Sequence, residues 1–123
     1  NLIVSGFVYN VRPDISSDDV FVVPLRKGVG IKNKLLQAWS MGKACVATPF
    51  SIGGLNACDG ENILVRSSKE AFSQAVIDLL NNEEQRSQLG LNARNTIELN
   101  YTWERKSTEL HKLLKSCIQK RKK

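Results

Sequence analysis

A glycine pair followed directly by an amphipathic helical pattern is the feature of this sequence best suited to chemistry. Gly28, Val29 and Gly30 come after an apolar run that Pro24 ends, and the helical pattern begins at Ile31. Glycine lets a backbone approach a ligand closely, and the first turn of a helix offers unpaired N–H groups to an anion. Because short glycine motifs also recur by chance, the segment fits a phosphate or sugar pocket or a plain structural loop.

Three polar side chains of the same helix lie where they would line such a pocket. Lys32 and Lys34 would bring positive charge to it, although a solvated position also suits Lys32. Gln37 lies two turns beyond the glycines, on the helix face expected to reach toward a bound nucleotide.

Other reactive residue types are not arranged for catalysis, and no catalytic residue or metal site is predicted. The three cysteines are Cys45, Cys58 and Cys117. They lack CxxC or metal-ligand spacing, and their odd number fits reduced thiols in a cytoplasmic compartment. His111 has no evident acid–base partner. Asp18 and Asp19 are adjacent in a turn, so capping or solvation suits them better than paired carboxylate chemistry.

Buried strands are needed to position these residues. Apolar runs predict four strands, over Leu2–Val8, Val20–Val23, Cys45–Thr48 and Ile63–Val65. Their continuous rather than alternating apolar character is typical of parallel strands covered on both faces. With the helix over Ile31–Met41, this order predicts one doubly wound α/β domain over residues 1–123, with a mainly parallel, Rossmann-like sheet and trailing helices.

Polar caps predict where the trailing helices begin. Ser67 with Glu70 forms a capping box, Asn82 with Gln85 opens a second helix, and Thr102 caps the last one.

The two tryptophans, Trp39 and Trp103, each fall in an apolar helical stripe. Core packing is therefore favoured over stacking on a base or a sugar. The last helix is a special case, because its apolar face would be partly exposed in a fragment and would then favour self-association, as would the exposed edge of the sheet at Leu2–Val8.

The positive charge is concentrated at the end of the chain. Of the net charge of +6, the residues Lys120, Arg121, Lys122 and Lys123 carry +4. This pattern argues against a specific nucleic-acid partner and favours a solvated end. With Lys112 and Lys115, the tail would also suit weak contact with a membrane surface. No apolar run is long enough to span a bilayer, and the chain opens on an apolar run without an initiator Met, as expected of a piece of a longer protein.

In their order, these pieces resemble the carboxyl-terminal, donor-binding domain of GT-B-type glycosyltransferases of the family-4-like group. The matching segments are Gly28-Val29-Gly30, Lys34-Leu35-Leu36-Gln37-Ala38, Met41-Gly42-Lys43, Val46-Ala47-Thr48, Gly53-Gly54-Leu55 and Gly60-Glu61-Asn62-Ile63-Leu64-Val65. No single segment is specific, but the ordered set is, and it extends over nearly the whole chain.

The resemblance implies sugar transfer from a nucleoside-diphosphate sugar, usually with retention and with no metal or other cofactor. Backbone amides around Gly30, Ile31 and Lys32 would face the donor diphosphate. Gln37 would hydrogen-bond the ribose, and the base would pack where Phe7 and Val8 lie. The family's amino-terminal acceptor domain and its basic diphosphate clamp have no counterpart here, so the resemblance implies an incomplete half of the fold, inactive alone.

One departure from the family pattern supports an alternative. Many members carry two glutamates seven residues apart, but this chain has Gln37 at the second position and Lys27 or Gly28 at the first. Glutamine accepts a hydrogen bond through its carbonyl and bears no charge. The alternative is therefore a non-catalytic α/β binding module derived from such a domain.

Overall fold

The computed structural model describes residues 2–17 and 19–122. In chain order the elements are α1 (Arg12–Ser17), β1 (Val20–Val23), α2 (Asn33–Ser40), β2 (Ala44–Ala47), a 3-10 turn (Pro49–Ser51), β3 (Leu64–Val65), α3 (Lys69–Leu80), α4 (Glu83–Asn100) and α5 (Trp103–Arg121). Asp18 of the acidic pair and Lys123 of the basic tail lie outside the described residues.

The three strands form one parallel sheet in the order β1-β2-β3. Val46 of β2 is the register partner of Val22 on one side and of Leu64 on the other. All four residues of β2 are buried, as expected of a central strand in a parallel sheet. The parallel sheet predicted from the apolar runs is thereby confirmed for these three strands.

Helices cover both faces of β2, which confirms the doubly wound arrangement. Cys45 faces a cluster that contains Trp39 of α2 and Ala93 of α4. Val46 faces the opposite cluster, which contains Leu79 of α3. The alternation follows from strand geometry, in which successive side chains point to opposite faces.

A close contact between two glycines sets the approach of α2 to α4. Gly42 has a positive φ of 69° and follows the end of α2. A Cβ added at Gly90 of α4 would lie 2.0 Å from the Gly42 carbonyl oxygen. Arg94 reinforces the contact, because its Nη1 donates to the carbonyl oxygen of Ser40 at 2.8 Å. This satisfies an otherwise unpaired carbonyl at the end of α2.

Two of the three predicted helix caps are confirmed. Asn82 accepts a hydrogen bond from the Gln85 amide, and Thr102 accepts one from the Arg105 amide. The capping box predicted at Ser67 is wrong by one residue, since Ser68 is the cap and its Oγ accepts from the Ala71 amide at 3.1 Å. Two adjacent serines offer the same hydroxyl, so the backbone register decides which of them caps.

The prediction of a strand over Leu2–Val8 is wrong. The segment has no strand structure, and Leu2, Ile3 and Val4 are more than 80% exposed. An apolar run becomes a strand only when a neighbouring strand accepts its backbone hydrogen bonds. Here the free edge of β1 is not paired with it.

The prediction of core packing is confirmed for Trp39, whereas Trp103 shows the exposure expected as the special case of the last helix. Trp39 is completely buried, whereas Trp103 at the start of α5 is 88% exposed. Ile31, where the sequence pattern predicts the helix to begin, precedes α2 and is half exposed. Over residues 2–17 and 19–122, no helix is both long and apolar enough to cross a bilayer.

Candidate functional site

Two loops meet at the carboxyl edge of the sheet because β1 and β2 are parallel and end on the same side. The first loop follows β1 and contains the glycine pair, and the second follows β2. Together they enclose an open cavity of about 490 Å³. Its lining residues are Gly28, Val29, Gly30, Ile31, Pro49, Phe50, Gly53 and Gly54. In open α/β sheets this edge is where ligands bind.

Glycine is required at three points of these loops. Gly28 and Gly30 have φ values of 135° and 85°, which L side chains rarely adopt. A Cβ at Gly54, which also has a positive φ, would lie 3.2 Å from Cγ1 of Ile31. Nothing lies within 4 Å of the position of a Cβ at Gly30. The backbone of the first loop is therefore open to an incoming group, while the two loops pack closely at Gly54.

Two hydroxyl side chains join the second loop to the first. Ser51 is fully buried, and its Oγ donates to the carbonyl oxygen of Val23 at 2.8 Å. The Thr48 hydroxyl donates to the carbonyl oxygen of Leu25 and lies 2.9 Å from Ser51 Oγ. We call Thr48 and Ser51 the hydroxyl pair. It fixes the loop after β2 against the backbone that leaves β1, and so holds both walls of the cavity.

The start of α2 points its unpaired amides at the first loop. The backbone N–H groups of residues 32–34 have no hydrogen-bond partner within the described part of the chain. Lys32, the N-cap residue, makes no side-chain cap. Its Nζ instead folds back to donate to the Val29 carbonyl oxygen at 3.0 Å. A positive charge and free helix-end amides thus adjoin the glycine pair, an arrangement suited to an anion.

The remaining predicted residues line a second cavity, of about 620 Å³. Phe7 and Val8 of the amino-terminal segment form one wall, and Lys34 and Gln37 of α2 form another. Gln37 is exposed, and its side chain has no hydrogen-bond partner in residues 2–17 and 19–122. Its amide is therefore available to a ligand.

The predicted site residues accordingly divide between the two cavities, except for Lys32, which lines neither. Gly28, Val29, Gly30 and Ile31 lie in the first cavity, and the four residues just named lie in the second. Sequence reasoning missed the hydroxyl pair and Phe50, which is 57% exposed in the first cavity. The sequence feature that could have indicated them is the segment Thr48-Pro49-Phe50-Ser51, which directly follows a buried strand.

The segment Gly60–Val65 has a structural role in this fold. Asn62 is buried, and its Oδ1 accepts from the Cys58 amide at 2.9 Å. Its Nδ2 donates to Thr96 Oγ1 of α4 at 3.0 Å. The side chain thus closes the loop before β3 and anchors it to α4.

Electrostatics in the described residues single out one carboxylate. The Val65 amide, 2.9 Å from Asp59 Oδ1, lowers the pKa of Asp59, and an ion pair with Arg66 at 2.9 Å adds to the effect.

Burial raises the pKa of the Cys45 thiol, which makes it a poor nucleophile. No group of three or more metal-ligating side chains is found among the residues that the structure describes.

Comparison with known proteins gives two findings. Residues 1–82 match the family described as Glycosyl transferases group 1. The chain is also 31% identical over 106 residues to an uncharacterized glycosyltransferase of Methanocaldococcus jannaschii, a match that covers 85% of this chain. The chain spans 27% of the length of that relative.

Proposed function

The chain belongs to the group 1 glycosyltransferases, and from this premise we propose that it forms the donor half of a sugar-transferring active site. The donor is a nucleoside-diphosphate sugar, and the reaction moves its sugar to an acceptor with retention at the anomeric carbon. The observation that carries the proposal is the glycine pair beside the unpaired amides of α2, at the carboxyl edge of a parallel sheet.

The diphosphate would lie in the first cavity. The open backbone at Gly30 lets phosphate oxygens approach the amides of residues 32–34, and Lys32 Nζ is close enough to the loop to add positive charge. These groups would stabilise the negative charge that develops on the leaving diphosphate. Because they are held in place before the reaction, they need little reorganisation, which is the basis of electrostatic catalysis.

The nucleoside would lie in the second cavity. Gln37 offers an amide to the ribose hydroxyls, and its carbonyl oxygen accepts where a carboxylate would also accept. Phe7 and Val8 offer apolar surface to the base, and Lys34 adds positive charge to the same cavity. The order of the two cavities along α2 therefore matches the order of diphosphate, ribose and base in a donor.

Transfer itself would need protein outside these 123 residues, because the chain spans 27% of its relative's length. We propose that the chain alone binds donor without transferring sugar, and that an acceptor-binding domain completes the site.

One observation favours a second candidate function. Gln37 is neutral, and Lys27 or Gly28 stands where the family carries its other glutamate. The carboxylate among the residues that line the two cavities is Asp14, in the second cavity. A domain that had lost catalysis would tolerate this change. The second candidate is thus a non-catalytic α/β binding module derived from a donor domain.

The proposal is tested by following the amide resonances of the isotope-labelled chain during titration with UDP, GDP and inorganic phosphate. Saturable shifts at Gly30 and Gln37 with one nucleoside diphosphate, and weaker ones with phosphate, are expected. Gln37→Ala should weaken that binding about three- to tenfold, the value of one hydrogen bond. Gln119→Ala, on the exposed face of α5, is the matched control and should not change it.

Two results would contradict the donor site: a folded spectrum with no nucleotide-specific shift, or an equal loss of affinity in both glutamine variants. Gln37→Glu separates the two functions. Tighter nucleotide binding in this variant supports a donor site that uses this position, whereas unchanged affinity supports the non-catalytic module.

A further inference from the structure

The loop that follows the 3-10 turn is held by side chains from distant parts of the chain. Its residues 52–58 belong to no helix or strand. Among them, Gly53 and Gly54 line the first cavity together with Gly28 and Gly30 of the first loop. We call Gly53 and Gly54 the second-loop glycines. A segment without regular structure keeps its position only through the groups that bind its backbone or pack against it.

Both backbone groups of Asn56, two residues after Gly54, bind side chains. The N–H of Asn56 donates to the Tyr101 hydroxyl at 2.8 Å. Its carbonyl oxygen accepts at 2.9 Å from Nδ2 of Asn62, the buried side chain that also reaches Thr96 of α4. Because the hydroxyl pair fixes the start of the loop, the second-loop glycines lie between two fixed points.

Tyr101 is itself held firmly in the fold. It is the C-cap residue of α4, and its N–H donates to the Ile97 carbonyl oxygen at 2.8 Å. Its side chain is partly buried, and Lys106 Nζ lies 5.5 Å from the centre of the ring. Helix α4 packs into the core through Ala93. The hydroxyl therefore reaches the loop from a packed helix, 45 residues later in the chain.

The Tyr101 hydroxyl acts on the cavity side of the loop. Asn62 fixes the part of the loop that leads away from the cavity to β3. The Tyr101 hydroxyl instead binds the peptide unit that joins Leu55 to Asn56. That unit adjoins the turn containing the second-loop glycines, because the Leu55 amide donates to the Ile52 carbonyl oxygen at 3.1 Å.

The position of the second-loop glycines bears on the amides that the proposed function assigns to the diphosphate. A Cβ at Gly54 would lie 3.2 Å from Ile31 Cγ1, so the two loops are in close contact there. Ile31 directly precedes Lys32, the N-cap residue, and the unpaired amides of residues 32–34. Displacement of Gly54 would therefore move Ile31 or widen the cavity between the loops.

We propose that Tyr101 is a positioning residue of the donor site. Its hydroxyl holds the second-loop glycines against the first loop, at the width that the diphosphate requires. Tyr101 lines neither cavity, so it acts through the loop rather than on the ligand. The inference rests on the proposed function, since that proposal places the diphosphate in the first cavity.

The test removes one oxygen atom from the 123-residue chain. Tyr101→Phe keeps the ring and deletes the acceptor of the Asn56 amide. The affinity for UDP or GDP, whichever the parent chain binds, should fall about three- to tenfold, as for the loss of one hydrogen bond. The affinity for the corresponding monophosphate should fall by less than about twofold, because it places one phosphate fewer in the first cavity.

Tyr9→Phe is the matched control, since it deletes the same atom from the chain's other tyrosine. Tyr9 is 97% exposed and lines neither cavity, so both affinities should stay unchanged. Far-UV circular dichroism verifies that both variants are folded.

A second measurement needs no ligand. In Tyr101→Phe the amide resonances of Gly54 and Ile31 should move, because the two loops are in contact at these residues. Hydrogen exchange of the Asn56 amide should become about fivefold faster or more, since the amide loses its acceptor. Neither change is expected in Tyr9→Phe.

Three outcomes would overturn the inference while the parent chain still binds nucleotide. The first is equal affinity of the parent chain and Tyr101→Phe for the diphosphate. The second is an equal loss for the diphosphate and the monophosphate, which a general loosening of the domain would give. The third is unmoved resonances at Gly54 and Ile31. A parent chain that binds neither nucleotide instead contradicts the proposed function, and the inference falls with it.

Discussion

Helices α2 and α5 have similar amphipathic sequences but opposite environments. Each carries a tryptophan in an apolar stripe, yet Trp39 of α2 is fully buried while Trp103 of α5 is 88% exposed. Helix α2 packs against β2 and α4, and Gly42, which follows α2, lies close to Gly90 of α4. Helix α5 has no buried residue. An apolar stripe in the sequence indicates that one side of a helix is suited to burial. Whether other residues of this chain cover that side is decided by the fold.

The same contrast separates the central strand from the amino-terminal segment. β2 and residues 2–8 are both largely apolar, the second interrupted by Ser5 and Gly6, but β2 has a strand on either side and helices on both faces. Leu2, Ile3 and Val4 have neither. The interior around β2, which we call the body, therefore carries the stability of the domain, and its two peripheral segments contribute little to it.

Replacing each tryptophan by alanine should give the largest difference in the free energy of unfolding between a residue of the body and a peripheral residue. Trp39→Ala is expected to lower the free energy of unfolding by about 3–5 kcal/mol, because it leaves a large cavity in the core. Trp103→Ala should change it by about 0.5 kcal/mol or less, as for other surface substitutions. Urea unfolding followed by far-UV circular dichroism measures both. Equal losses would show that α5 is packed against the body.

Trp39→Phe sharpens this comparison. The indole Nε1 of Trp39 is buried and has no hydrogen-bond partner among the described residues. Replacement by Phe deletes this unpaired donor and retains much of the ring, so it should cost clearly less than replacement by Ala.

The glycine contact between α2 and α4 should be the next most sensitive point. Gly90→Ala is expected to destabilise the domain by about 2–3 kcal/mol, because its Cβ would lie 2.0 Å from the Gly42 carbonyl oxygen and force the helices apart. This outweighs the gain of about 1 kcal/mol in helix propensity. Gly53→Ala is the control, since nothing lies within 4 Å of its Cβ position. Similar thermal midpoints for the two variants would contradict the close approach.

The hydroxyl pair should give an intermediate effect that also reaches the site. Ser51→Ala removes one of the two donors to the Val23 carbonyl oxygen, which keeps its bond from the Thr48 amide, so the expected cost in the free energy of unfolding is that of one hydrogen bond, about 1 kcal/mol. It should also weaken nucleotide binding, because the loop after β2 loses its attachment. Ser73→Ala on the exposed face of α3 is the matched control. Binding that is unchanged in Ser51→Ala would show that the pair does not position the cavity.

The smallest expected effect is the pH dependence contributed by Asp59 at the surface of the body. The Val65 amide and Arg66 hold its pKa below the ordinary value of 3.8 in the folded chain. The unfolded chain therefore takes up the proton first as the pH falls, so the stabilisation is complete well above pH 3.8 and is lost below it. The effect is small because the side chain is 54% exposed and screened by solvent.

Asp59→Asn should accordingly flatten the acid limb of a plot of unfolding free energy against pH. Asp19→Asn serves as the control, since the Asp19 side chain has no hydrogen-bond partner in the described structure. An acid limb that Asp59→Asn leaves unchanged would show that other carboxylates govern it.

Much of the central fold follows from the sequence alone. Val20–Val23 and the run at Cys45 were recognisable as strands, and Pro24 and Pro49 mark where they end. Burial on both faces holds for β2, whereas Val22 of the edge strand β1 is 43% exposed. The side chains of Asn82 and Thr102 specify helix starts because a cap bonds an amide only three residues away. These features depend on contacts within a few residues, and the ordered motifs were sufficient to indicate the family.

The tertiary structure decided which of these patterns found a partner. Burial of Trp39 and exposure of Trp103 depend on which distant residues face each helix, and periodicity contains no such information. The hydroxyl pair depends on Val23 and Leu25, more than 20 residues earlier in the chain. Sequence therefore determines the local hydrogen bonds and the need for burial. Only the packing of remote segments determines where that need is met and where an apolar surface remains open to a partner.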